Sequence, residues 1–171
     1  MNYFDFYDIE ESFFINEKSL KKIFLEKSQE YHPDFHSMEN EEAKEKSLEL
    51  SALNNQAYET LKSFDKRVQY ILEINHILNE EGENKVPNEF LMEVMDLNET
   101  LMELKFKPDE EKIAAFKNQV KLYKEKIYNE VEQDMMQYVK DSDQAENVLQ
   151  NVKEYSLKNK YLKRLEENLE E

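Results

Sequence analysis

The chain has 171 residues, enough for one ordinary domain or two small ones. One Gly, three Pro and no Cys exclude turn-rich β architectures, disulfides and thiolate metal sites. The net charge of −16 repels phosphate backbones and anionic lipids, so neither nucleic acid nor a membrane is an expected partner.

The first part of the chain predicts a series of helices. A short aromatic segment, 3–9, forms either two helical turns or an extended strap. A helix then begins at the N-cap Asn16 and ends before Pro33, which biases the preceding residue away from the α region. Two further helices, over 41–62 and 65–78, carry apolar residues three or four positions apart, the spacing of a core face.

The segment 79–88 predicts a linker, because it holds the only Gly, Gly82, together with Pro87 and a polar run. Three more helices are expected after it, over 89–106, 109–140 and 144–171. Their apolar stripes cover one another if the helices form an antiparallel bundle. The sequence therefore predicts an all-α protein with a domain over 1–78, a linker over 79–88 and a three-helix bundle over 89–171.

Nothing in the sequence indicates export or membrane insertion. No apolar run approaches the ~18 residues of a membrane span. The opening residues, MNYFD, lack the basic character of a signal or transit peptide. We therefore expect a cytoplasmic protein.

The tripeptide His32-Pro33-Asp34 follows directly after a predicted helix. Pro33 fixes the local backbone, so the imidazole and the carboxylate beside it suit a docking contact better than hydrolysis. By itself, such a tripeptide is ordinary in a solvated loop. A metal site of His32, Asp34 and His36 is a less favoured alternative, because Pro33 restricts the ligand geometry.

The setting of the tripeptide is more specific than the tripeptide. It includes the aromatic start Tyr3-Phe4, the stretch LNNQAYETL at 53–61 and the triplet DKR at 65–67. Over residues 1–77 this ordered set resembles a J-domain, the module that stimulates ATP hydrolysis by DnaK-type chaperones. The resemblance implies an antiparallel helical hairpin with the tripeptide in its loop, where His32, Pro33 and Asp34 would contact the chaperone.

J-domains also display basic residues on the helix before the tripeptide. The lysines that could match here are Lys18, Lys21, Lys22 and Lys27, of which Lys21, Lys22 and Lys27 are the predicted chaperone contacts. Acidic neighbours leave open that these lysines only form ion pairs within their own helix. Phe35 and Gln29 occupy positions that are often basic in the family, which implies weaker or differently arranged docking.

The second half of the chain specifies which J-protein it resembles. A helical bundle follows the J-domain, without a Gly/Phe-rich region or a Cys-rich zinc domain. The opening MNYF, the stretch NQAY at 55–58 and the stretch FLME at 90–93 are similar to HscB, the iron–sulfur assembly co-chaperone. The lack of Cys resembles the bacterial type that has no zinc-binding cysteines.

The helix that begins near 89 carries more apolar residues than one core stripe needs. Met92, Met95 and Met102 form a second stripe with Glu99. Core filling is one interpretation, because Met is a common filler of irregular gaps. The resemblance implies another, a surface that holds the scaffold protein IscU. The residues that it assigns are Leu91, Met92, Met95, Asp96, Glu99, Glu103 and Tyr161, with Tyr155 as a rival of Tyr161.

The resemblance implies a co-chaperone and not an enzyme. It would bind an IscU-type scaffold, stimulate a DnaK/HscA-type ATPase, and need neither a cofactor nor a metal of its own. A weak homodimer stays open. The alternatives are a J-protein for another client, a helical adaptor without a chaperone partner, and an enzyme that uses His32 and Asp34. The last lacks a nucleophile motif and a Gly-rich phosphate loop.

Overall fold

The structure, a computed structural model, describes residues 1–32, 41–78 and 85–170. Throughout these residues the regular elements are α-helices, which confirms the all-α prediction. They are α1 (Tyr3–Tyr7), α2 (Glu17–Glu30), α3 (Glu41–Leu61), α4 (Phe64–Ile74), α5 (Asn88–Glu93), α6 (Met95–Phe106), α7 (Glu110–Gln137) and α8 (Ala145–Glu170). Within this described part of the chain, no helix is long and apolar enough to span a bilayer.

The chain divides into two compact units, Met1–Ile74 and Asn75–Glu171. The boundary falls four residues before the predicted linker, because α4 ends at Ile74 and not at 78. His76, with a φ of 56°, adopts the left-handed conformation that commonly ends a helix. Most of the predicted linker, 79–84, lies outside the described residues.

Side-chain caps fix the starts of the first two helices. The Asn2 Oδ1 atom accepts from the Asp5 backbone N–H at 2.9 Å, while the Asp5 carboxylate accepts from the Asn2 N–H at 3.0 Å. This reciprocal pair is a capping box. The Asn16 Oδ1 atom accepts from the Ser19 N–H at 3.0 Å, which confirms the predicted N-cap of α2.

The core of the first unit holds a polar network around Asn54, which is 1% exposed. The Tyr7 hydroxyl donates to Asn54 Oδ1 at 2.8 Å, and the Asn54 amide donates to the Phe24 carbonyl at 3.1 Å and to Ser28 Oγ at 3.0 Å. Burial raises the pKa of Tyr7, and the nearby Tyr58 adds to this effect, so the phenol remains a donor. One amide thus joins α1, α2 and α3.

A buried cation, Arg67, joins α4 to the rest of the unit. Its Nε donates to the Phe13 carbonyl at 2.9 Å, and its Nη1 donates to the Leu61 carbonyl. Desolvation lowers the pKa of Arg67, against the opposing effect of the Glu17 charge. Carbonyl oxygens therefore compensate for the burial of a charge that is only 6% exposed.

The second unit is built from α6, α7 and α8, which pack pairwise against one another. The predicted single helix over 89–106 is wrong, because Val94 (φ −98°, ψ 13°) separates α5 from α6. The Asn98 side-chain amide donates to the Val94 carbonyl at 3.0 Å and competes with the backbone N–H groups for it. The predicted core stripe is nevertheless buried: Phe90, Val94, Leu97, Leu101 and Leu104 are at most 7% exposed.

Replacement of Asn54 tests the network of the first unit. We expect Asn54→Ala to lower the free energy of unfolding by about 2 to 4 kcal/mol, because the Tyr7 hydroxyl and the Phe24 carbonyl lose a buried partner. The control is Asn55→Ala at the next, exposed position of α3, which should change stability by less than about 0.5 kcal/mol. Urea unfolding measures both, and equal midpoints for the two variants would contradict the network.

Candidate functional site: two exposed faces

A shallow groove follows the outer side of α2 and ends at His32. Its lining includes Lys21, Lys22, Leu25, Gln29 and His32. Leu25 offers an apolar side chain to solvent and is 54% exposed. The Lys22 ammonium lies 3.8 Å from the Glu26 carboxylate, and since both side chains are largely exposed this pair stabilises little. One exposed leucine among lysines and other polar side chains therefore lines the groove.

Lys27 does not belong to this groove. Its ammonium lies 4.7 Å from the ring centroid of Phe6 and 5.6 Å from that of Tyr31, with the Tyr31 hydroxyl 3.4 Å away. Such cation–π contacts stabilise a partly desolvated ammonium. The structure thus separates Lys27 from Lys21 and Lys22, and gives it a role in joining α1 to α2.

The backbone that leads to His32 is held by α3. The Ser47 hydroxyl, buried in the unit, donates to the Tyr31 carbonyl at 2.8 Å. The Tyr31 and His32 N–H groups donate back into the last turn of α2, to Lys27 and Gln29. His32 itself is exposed. Pro33, Asp34 and His36 lie outside the described residues, so the predicted roles of Pro33 and Asp34 stay predictions, as does the metal alternative.

A second exposed face runs along α5 and α6. Met92, Met95 and Met102 are 75%, 56% and 66% exposed. We call these three residues and Glu99 the methionine face. The core-filling interpretation is wrong for the three methionines, since the inward stripe of the same helices occupies the bundle. Of the other residues predicted for the scaffold, Asp96 and Glu103 are exposed and Leu91 is half-buried.

Two lysines of α7 pair with carboxylates at the edge of this face. The Lys126 ammonium lies 2.8 Å from the Glu93 carboxylate, and the Lys112 ammonium lies 3.2 Å from that of Glu103. The hydrogen bond between Lys126 and Glu93 lowers the pKa of Glu93 and raises that of Lys126. Sequence reasoning missed both pairs, because partners that are 33 and 9 residues apart share no local pattern.

Tyr161, on α8, lies beside the methionine face. Its hydroxyl donates to Asn98 Oδ1 at 2.9 Å, and its ring meets that of Phe90 edge-on at 6.2 Å. Asn98 follows Met95 by three residues, so the two are neighbours on the surface of α6. The rival, Tyr155, is 8% exposed and packs edge-on against Tyr128 of α7. The structure thus brings Tyr161, and not Tyr155, to this surface.

Known proteins that resemble this chain are HscB co-chaperones. Residues 86–170 match the family model described as the HSCB C-terminal oligomerisation domain. The chain is 29% identical over 127 residues to the co-chaperone protein HscB homolog of Neisseria meningitidis, across 74% of this chain and 76% of that protein. The chain is HscB-like, and its second unit carries the C-terminal domain of that family. Its lack of Cys fits the type without zinc-binding cysteines.

Solved HscB structures share the architecture. The crystal structure of human co-chaperone protein HscB matches with a TM-score of 0.78 and 26% identity, across 99% of this chain and 81% of that chain. Chaperone HscB from Vibrio cholerae matches with a TM-score of 0.65 and 24% identity, across 99% of both chains, and supports the fold. The predicted order, a J-domain followed by a C-terminal helical bundle, is confirmed.

Because the methionine face is exposed, substitutions in it should hardly change the stability of the protein. We expect Met92→Ala and Met95→Ala each to change the free energy of unfolding by less than about 0.5 kcal/mol, as is usual at the surface. The matched control is Met135→Ala, since Met135 of α7 is 1% exposed and truncation of a buried Met costs about 2 to 5 kcal/mol. Thermal unfolding ranks the variants. A large loss at Met92 or Met95 would contradict their outward position.

Proposed function

We propose that this chain is an iron–sulfur co-chaperone that works with two partners. It holds an IscU-type scaffold on the methionine face, and it stimulates ATP hydrolysis by a DnaK/HscA-type chaperone through the α2 groove and His32. The J-domain would span 1–78 and the scaffold-binding bundle 89–171, joined by 79–88. The reaction would take place in the cytoplasm, and the nascent cluster would be cargo on the scaffold, not a cofactor of this chain.

The observation that carries this proposal is the exposed methionine face in an HscB-like chain. Three large apolar side chains, one on α5 and two on α6, form an exposed patch of the kind that marks a protein interface. Methionine suits such a surface, because its flexible, polarisable side chain adapts to the shape of a partner. Asp96, Glu99 and Glu103 beside it would favour a partner with basic residues.

The α2 groove supports the chaperone half of the proposal. Lys21 and Lys22 form a local cationic strip on a chain of net charge −16. An acidic surface on the ATPase would be attracted to this strip and repelled by most of the remaining surface, which orients the encounter. His32 at the end of the strip would then reach the ATPase. The α2 groove and the methionine face belong to different units, so one chain would carry a contact for each partner.

His32→Gln tests the chaperone contact. We expect it to abolish stimulation of the chaperone ATPase without a loss of helical circular dichroism, because His32 is exposed and outside the core. The control is His76→Asn at the other described histidine, where Asn tolerates the left-handed backbone. Steady-state ATPase rates measure both. Normal stimulation by a folded His32→Gln variant would remove the docking role.

The double variant Met92→Ala/Met95→Ala tests the scaffold contact. We expect its affinity for the purified IscU-type scaffold to fall by about 30-fold, the equivalent of the ~2 kcal/mol of an interface hot spot. Met136→Ala is the control, since Met136 has the same side chain, is 57% exposed and lies ten residues, about 15 Å, further along α7 than Lys126 at the edge of this face. Isothermal titration calorimetry gives both affinities. An unchanged affinity would contradict the methionine face as the scaffold site.

Affinity capture from the source cytosol, followed by mass spectrometry, separates this proposal from its alternatives. A DnaK-type ATPase together with an IscU-type scaffold is the expected result. The ATPase with a different client would indicate another kind of J-protein, and recovery of neither would indicate a helical adaptor. The weak homodimer stays a prediction, which sedimentation velocity can check.

A further inference from the structure

An open groove lies between α6 and α7, beside the methionine face. It has a volume of about 220 Å³ and is lined by Asp96, Leu97, Gln119, Leu122, Tyr123 and Lys126. Leu97 is 2% exposed and can only form its base. Leu122, in contrast, is 55% exposed and offers an apolar side chain to solvent. Gln119 and Lys126 of α7 each lie three or four positions from the adjacent pair Leu122 and Tyr123, so the four share one side of that helix.

Side-chain contacts between neighbouring helices border the groove. The Lys126 ammonium bonds to the Glu93 carboxylate at 2.8 Å, and the Tyr123 hydroxyl donates to the Glu93 carbonyl at 2.9 Å. These two bonds hold α7 against the end of α5. At the other end of α6, the Lys112–Glu103 pair closes the same side at 3.2 Å. Both ion pairs are exposed, so they border the groove and contribute little to stability.

Asp96 differs from the acidic residues on either side of it. Glu93 and Glu103 each pair with a lysine of α7, whereas the Asp96 carboxylate forms no ion pair with any residue that the structure describes. The groove thus offers one unneutralised carboxylate and one exposed leucine on opposite walls. A cation would gain from the first and an apolar side chain from the second.

We propose that the α6–α7 groove is a second part of the scaffold site, and that it takes a basic side chain and a neighbouring apolar side chain of the scaffold. The cation binds Asp96 and the apolar side chain covers Leu122. This inference rests on the proposed function, because the groove is continuous with the methionine face through Asp96. It adds Leu122 and Gln119 of α7 to a site that the sequence placed on α5, α6 and α8 alone.

Leu122→Ala tests the apolar contact in the full-length chain. We expect the affinity for the purified IscU-type scaffold to fall by about 10-fold, with chaperone ATPase stimulation in the absence of scaffold unchanged. The matched control is Leu48→Ala, because Leu48 of α3 has the same side chain and is 56% exposed. Its affinity should equal that of the unmodified chain. Equal affinities for the Leu122 and Leu48 variants would overturn the proposal.

Asp96→Asn tests the charge. Affinity for the scaffold should decrease with salt in the unmodified chain and decrease less steeply in the variant, since one ion pair is absent. An identical salt dependence would overturn the cation assignment.

The methionine variants keep the two hypotheses distinguishable. If Met92→Ala/Met95→Ala weakens binding and Leu122→Ala does not, the groove is refuted while the proposed function stands. If neither weakens binding, both are refuted.

Discussion

The burial of one apolar stripe along α5 and α6 determines what the second unit presents to a partner. Its residues are Phe90, Val94, Leu97, Leu101 and Leu104. Burial of one such side chain contributes about 1.5 to 3 kcal/mol, so five together are comparable with the whole stability of an ordinary domain, about 5 to 15 kcal/mol. Rotation of the helix to hide the methionines would expose this stripe. The methionine face must therefore point outward. Tyr161 of α8 lies on one side of it, and Leu122 of α7 lies on the other.

Polar contacts have the corresponding role in the first unit. The Asn54 amide joins three helices, and the Ser47 hydroxyl then fixes the carbonyl of Tyr31. Because a buried polar group without a partner is costly, these bonds allow few alternative arrangements. The position of His32 is in this way a consequence of the core, although His32 itself is exposed. For the docking role proposed for His32, the buried amide and hydroxyl provide the support.

Local patterns predicted most of the fold. The cap at Asn16, the core stripe of α5 and α6 and the ends of the long helices all follow from residue types at short spacing. The break at Val94 could not be predicted, since it depends on how the Asn98 side chain competes for one carbonyl. Arg67 enters the sequence prediction only as part of the triplet DKR, and its tertiary contacts with Phe13 and Leu61 explain its burial.

Local sequence patterns also left parts of the candidate site undecided. Exposure of the methionines was one of two interpretations until the bundle assigned the inward face. Lys27 fits the basic pattern of α2 as well as Lys21 does, and only the ring of Phe6 separates them. The central claim is that one chain couples scaffold binding to ATP hydrolysis. Its most direct test is a mixture of two variants, His32→Gln and Met92→Ala/Met95→Ala. The measurement is the scaffold-dependent stimulation of the chaperone ATPase by this mixture. The account predicts that the mixture gives no scaffold-dependent gain, because neither chain carries both faces. Restoration of the gain to the level of the unmodified chain would contradict it.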